Sequence, residues 1–224
     1  MFEAASLFDL GATEHAAVFR GCEFAWEVLP RLAGYLERNL RRELRNRCEG
    51  RAFIGEHVFI GEGTVLEDGV MIKGPAIIGR NCQIRHNAYI RDNVIVGDNC
   101  VVGNASELKN SLLFNGAQVP HFNYVGDSVL GHKAHLGAGV KVSNFKVYGN
   151  AIAVRVGKKV FETGLRKFGA LVGDHCEVGC NAVLNPGSIL GRNSVVYANV
   201  AWRGVLGENM IAKSLDDVVE RKRG

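Results

Sequence analysis

No apolar run in this 224-residue chain approaches the roughly 18 residues that cross a membrane as a helix. Its first residues, MFEAASLFDLGATEH, hold no basic stretch ahead of an apolar core, so no secretory leader is expected. Charge of one sign is scarce: 27 Lys and Arg face 23 Asp and Glu, a net +4. Basic residues are not interleaved with aromatics, so nucleic acid is not an expected partner. A metal framework is missing too. Cys176 and Cys180 lack a second pair, and His121, His132 and His135 do not form a convincing three-histidine set, so no metal is expected. With no leader, the six cysteines read as reduced thiols of a cytoplasmic protein.

What the chain has is a beat of six. From Ile54 an aliphatic residue returns at Ile60, Leu66, Ile72, Ile78, Ile84, Ile90, Val96, Val102 and Leu108. It resumes at Leu130, Leu136 and Val142, and again from Val172 to Trp202. Four residues after each stands a small or slim side chain, among them Val58, Thr64, Ala76, Cys82, Ala88 and Cys100. A six-residue unit cannot bury its own aliphatic, but stacked units can, so the pattern specifies a solenoid. Three hexads close a triangular coil of eighteen residues, and coils stack by parallel pairing about 4.8 Å apart. Six to seven coils are expected. Cys82, Cys100 and Cys176 fall on the slim inward position and read as buried structural thiols.

Residues 1–48 lack the beat. They read as a helical cap, with Thr13 starting a short helix and Leu29, Leu32, Ala33, Leu36 and Leu40 forming the apolar face of a longer one. Its simplest role is to cover the open first coil; its arginine-rich side is a solvated face or, second, a membrane-surface contact. Residues 49–213 form the solenoid domain. Residues 214–224 read as a short C-terminal helix with Ser214 as N-cap. The beat fails over 115–129 and 143–171, which are expected to be loops. The second carries Lys146, Arg155, Lys158, Lys159, Arg166 and Lys167 against Glu162 alone, fitting either an anionic ligand or a solubilising surface.

Lys73, Arg91 and Lys109 are spaced by eighteen, one coil, and so should stack in a column. Like charges facing each other across strands repel. The column makes sense either as a phosphate site or as a screened surface ladder. His121, beside Pro120 and near Tyr124, is a candidate general base.

The run NASELKNSLLFNGAQVPHFNYVGDSVLGHKAHLGAG (104–139) resembles the acetyltransferase domain of bacterial bifunctional uridyltransferase/glucosamine-1-phosphate acetyltransferases. The run ETGLRKFGALVGDHCEVGCNAVLNPGSILG (162–191) resembles the C-terminal domain of archaeal bifunctional sugar-1-phosphate nucleotidylyltransferase/acetyltransferases. The resemblance covers about 54–207 and implies an all-β fold, the left-handed parallel β-helix of hexapeptide-repeat acyltransferases. It also implies a homotrimer with each site between neighbouring prisms. By matched position, His121 is the base and Arg91 and Lys109 hold the sugar phosphate. Glu107, Tyr124, His135 and Asn144 complete the sugar pocket, and Ala138, Cys180 and Ala198 line the acetyl-CoA groove. His135 stands where the bacterial family has asparagine, and Phe145 where it has tyrosine. No glycine-rich nucleotide loop precedes the hexads. The implied activity is direct N-acylation of an amino-sugar 1-phosphate by acetyl-CoA. The alternative is a non-catalytic, sugar-nucleotide-binding trimer with a regulatory or scaffold role.

Overall fold

The computed structural model describes residues 2–221. The inward aliphatics build a parallel β-solenoid with three walls. The first wall stacks Glu43–Leu44, Val58–Ile60, Ala76–Ile78, Val94–Val96 and the second halves of Glu107–Leu113 and Tyr124–Leu130. It continues through Ala170–Val172, Ser188–Leu190 and Val205–Leu206. The second wall runs from Arg47–Cys48 to Met210–Ala212 and includes Val101–Asn104, Gln118–His121 and His135–Leu136. The third runs from Phe53–Ile54 to Ala201–Trp202 and contains the first halves of Glu107–Leu113 and Tyr124–Leu130. This is the left-handed hexapeptide β-helix, with about 9 turns rather than six or seven. It is longer because pairing already begins at Glu43, upstream of the first legible hexad, and because the coil runs on through the stretch where the beat is lost after Leu108.

The prism interior is largely apolar. Ile60, Leu66, Ile72, Ile78, Ile84 and Ile90 are fully buried, and Cys82, Cys100 and Cys176 lie among them as expected. Burial raises the Cys176 thiol to about 11, which keeps it protonated and inert. At the corners the chain must bend left-handed, and asparagine, which tolerates that region, does most of it: Asn81, Asn87, Asn93, Asn99, Asn181, Asn193 and Asn199 have φ of 54–63°.

The expected loop at 115–129 is not one. Registers step by eighteen up to Glu107, then by seventeen: Val94 pairs Ser111, which pairs Ser128. Asn110 and Asp127, at φ 44° and 49°, make the bend one residue tighter, so one strand runs on from the third wall into the first. The inward positions slide to Leu113, Val119, Val125 and Leu130, all fully buried, and a fixed count of six loses them.

The second interruption is a true insertion, and it is folded. An antiparallel hairpin pairs Ala153–Val156 with Lys159–Glu162. Its Ile152 and Val154, with the following Phe168, are buried in a second apolar cluster.

That cluster also explains the N-terminal segment. Outward residues of the first wall are apolar: Ile77, Ile95, Leu112, Val129, Leu171 and Ile189 are at most 7% exposed. Residues 2–40 cover this wall lengthwise instead of closing the first coil. Phe8 stacks on Phe114, and Phe2 meets Phe161 edge-on. The segment is mostly 3₁₀ turns (Leu10–Ala12, Ala16–Phe19, Ala25–Arg31), with α-helix only at Ala4–Leu7 and Leu32–Asn39. Thr13 does not cap the 16–19 turn; its Oγ1 accepts from the His15 N–H at 3.1 Å. Leu29, Leu32 and Leu36 face inward as expected, while Ala33 is exposed.

The C-terminal helix is also replaced. Ser214 Oγ accepts from the Asp216 and Asp217 N–H groups in a turn, and Val218–Glu220 returns antiparallel on Met210–Ala212. The last rung offers an open strand edge, and Val218 and Val219 suit it better than a helix. Residues 222–224 of the expected helix lie outside the described residues. Among the described residues no helix is long and apolar enough to cross a membrane.

His15 is packed against Tyr35, with Nδ1 3.1 Å from the hydroxyl. Burial lowers its pKa below 6.5, against the opposing pull of Glu14 and Asp98. The unfolded chain therefore takes up this proton more readily, and stability is lost as pH falls through about 6.5. His15→Gln should flatten the melting temperature between pH 7 and pH 5; an unchanged slope would count against the assignment.

Candidate active site

Two corners of the prism flank the third wall, and each carries a column. At the corner between the third and first walls, the Lys73 N–H donates to Ile90 O at 2.8 Å and the Arg91 N–H to Leu108 O at 2.9 Å. Lys73, Arg91 and Lys109 are thus stacked as their spacing required. The repulsion is relieved by carboxylates: Arg91 Nη1 donates to Glu107 Oε1 at 2.9 Å, and Lys109 Nζ lies 3.9 Å from Asp127 Oδ2. The hydrogen bond to Glu107 raises the Arg91 pKa, leaving a fixed cation.

At the other corner His121 ends the strand Gln118–His121, opposite Asn104. It is an exposed strand-end residue, not a loop residue as expected. Its carbonyl accepts from the Gly139 N–H at 2.9 Å, Ala138 O from the Asn181 N–H at 2.8 Å, and Cys180 O from the Asn199 N–H at 2.9 Å. His121, Ala138, Cys180 and Ala198 therefore form one continuous edge. Gly103 lets this edge pack, since a Cβ there would come 1.6 Å from Pro120 O.

Between the columns, Glu107 and Tyr124 are partners on adjacent third-wall strands. Tyr124 OH accepts from Asn144 Nδ2 at 3.3 Å, and burial, then the nearby Glu107 charge, raises the phenol's pKa. The structure thus gathers Arg91, Lys109, Glu107, Tyr124 and Asn144 into one cluster, with His121 three residues before Tyr124. His135 is not in that cluster. It sits on the second wall, with Nδ1 2.8 Å from Glu177 Oε2. Among the described residues no group of three His, Cys, Asp or Glu is placed to hold a metal.

Three polar residues were missed as site members: Asn110, Asn123 and Asp127. Buried Asn123 accepts from the His121 N–H at 3.0 Å and donates to Gly137 O at 2.8 Å, bracing the His121–Tyr124 bend. Asp127, 4% exposed, accepts from Asn110 Nδ2 at 2.9 Å and Asn144 Nδ2 at 2.5 Å. The readable signal was the seventeen-residue spacing of 110, 127 and 144.

The repeat is also recognised by comparison. A family model described as the hexapeptide repeat of succinyl-transferase matches residues 170–201, and one described as the GMPPB C-terminal domain matches 72–164. The repeat and the coil it builds are thus similar to those of hexapeptide-repeat proteins. This hexapeptide-repeat chain is 32% identical over 122 residues to the bifunctional protein GlmU of Methanococcus vannielii, covering 54% of this chain and 29% of that one. It is 35% identical over 91 residues to a bifunctional sugar-1-phosphate nucleotidylyltransferase/acetyltransferase of Sulfurisphaera tokodaii, covering 41% and 23%. The match thus spans under a third of these relatives' length. Among solved structures, an Arabidopsis UDP-N-acetylglucosamine acyltransferase aligns at TM-score 0.39 and 11% identity, covering 80% of this chain and 71% of that one.

Proposed function

We propose that the chain is an acetyl-CoA-dependent N-acyltransferase acting on an amino-sugar 1-phosphate. The observation that carries this reading is the pairing of two columns across one wall. The cationic column of Arg91 and Lys109 suits a phosphate, and the opposite edge runs from His121 along Ala138, Cys180 and Ala198. A pantetheine arm laid along that edge brings its thioester toward His121. Glu107 and Tyr124 lie between and offer the sugar an acceptor and a hydroxyl.

A sugar ammonium must lose a proton before its nitrogen can attack. His121 accepts that proton, the C–N bond forms, and the C–S bond breaks as a second proton passes from the nitrogen to the departing sulfur, which releases the CoA thiol. No covalent enzyme intermediate is needed. The homotrimer, with each site between neighbouring prisms, is part of the same proposal. It requires a solution mass three times the 24.3 kDa of the chain.

Thiol release from acetyl-CoA with glucosamine-1-phosphate or galactosamine-1-phosphate tests the reading. Release that needs both substrates is expected. Binding of a sugar nucleotide with no release under any pairing would favour the non-catalytic trimer. Arg91→Ala should weaken sugar-phosphate binding about tenfold or more, because it removes a phosphate ligand and leaves the Glu107 carboxylate facing the anion unpaired. Acetyl-CoA affinity should hold, and equal losses for both ligands would count against the phosphate assignment.

A further inference from the structure

The corner that carries Lys109 has an unusual residue at its bend. The left-handed position there is filled by asparagine in two successive coils, Asn93 at φ 57° and Asn110 at φ 44°, and by aspartate in the next, Asp127 at φ 49°. Asparagine would satisfy the backbone equally well, so the charge calls for its own explanation. The carboxylate is 4% exposed and takes two amide hydrogen bonds, from Asn110 Nδ2 at 2.9 Å and Asn144 Nδ2 at 2.5 Å, with Lys109 Nζ at 3.9 Å.

A carboxylate only accepts hydrogen bonds, whereas a side-chain amide can present either end. Asp127 therefore dictates which end of Asn144 turns inward. Asn144 Nδ2 is directed at both Asp127 Oδ2 and Tyr124 OH. What remains for a ligand is its carbonyl oxygen, an acceptor.

We propose that Asp127 is a positioning residue: it fixes Asn144 with its oxygen toward the ligand, which makes the site selective for a ligand that donates a hydrogen bond, such as a sugar amine. The choice of amine rests on the reading given under Proposed function; the orientation of Asn144 does not. With asparagine at position 127, the bend and volume are kept. The substituted amide can accept from only one neighbour, so Asn144 turns over to donate no longer but to accept from it, and shows its N–H groups to the ligand. The site then offers a donor where it offered an acceptor, and a site built for one hydrogen-bonding sense discriminates strongly against the other.

The test is calorimetry on the whole protein, wild type and Asp127→Asn, with glucosamine-1-phosphate, glucose-1-phosphate and inorganic phosphate, alongside thermal melts. The expected result is at least a tenfold loss of affinity for the amino sugar, with inorganic phosphate bound as well or better because a nearby negative charge is gone. The melting temperature should stay close to wild type. Equal losses for amino sugar and phosphate, or no loss for either, overturn the proposal. If the wild type binds no amino-sugar phosphate, the substrate reading falls by itself, and the orientation is decided by exchanging the pair. Asn144→Asp alone, which sets two carboxylates together, should lower the melting temperature, and Asp127→Asn with Asn144→Asp should restore most of it. A double variant no more stable than the sum of its single changes overturns the orientation as well.

Discussion

Replacing His121 with alanine is expected to lower turnover by about 10²-fold or more while leaving substrate affinities nearly unchanged. The structure makes this a clean experiment. The side chain is exposed, and the contact that fixes its bend, to Asn123, is made by the backbone N–H and survives the change. The loss should therefore fall on kcat, with no change in melting temperature. His135 is the control. Its bond to Glu177 on the second wall separates it from the cluster, so His135→Ala should leave both rate and substrate choice close to wild type. Wild-type turnover in His121→Ala with every accepted substrate would remove the general base and leave the non-catalytic reading as the better one.

Phe114→Ala should be the most damaging change to stability. The ring is fully buried between the first wall and residues 2–40, stacked on Phe8 at 5.1 Å and 6.1 Å from Phe19. Phenylalanine-to-alanine changes in cores cost about 3–5 kcal/mol. In a domain of this size that corresponds to a fall in melting temperature of roughly 6–20 °C. Val160→Ala, at an exposed hairpin position, should cost little by comparison. Calorimetric melts decide it: a fall of only a degree or so for Phe114→Ala would mean that residues 2–40 add little to the stability of the prism.

The solenoid was legible because one residue in six meets the same interior, so a local count reports a global environment. The same rigidity made the count fail at Asn110 and Asp127, where one residue fewer shifts every later aliphatic out of phase although the wall continues. The cation column was legible for the same reason as the solenoid, since a coil is a ruler. The edge from His121 through Ala138 to Cys180 was reached only through family resemblance, because an insertion separates its members and stretches the coil step there to forty-two residues. Residues 2–40 were misplaced for a different reason. Ile77, Ile95 and Ile189 read as ordinary strand residues, and nothing in a six-residue pattern says that one outward wall is apolar enough to need covering. The C-terminal strand was missed because the Ser-Leu-Asp-Asp opening that caps a helix also makes a tight turn.

The cover on the first wall fixes an order of events during synthesis. Residues 2–40 leave the ribosome before any of the surface they dock on. Asp9 N–H binds the Asp174 carboxylate and Ala5 O accepts from Arg192, so the far end of that surface is not made until some 150 residues later. At about 5–20 residues per second the wait is roughly 8–30 s. Each new coil can settle on the previous one during that interval, since a coil needs only its neighbour. The aromatic segment made first thus completes its docking last, and the closing of its far end joins the stacked coils into one clasped body.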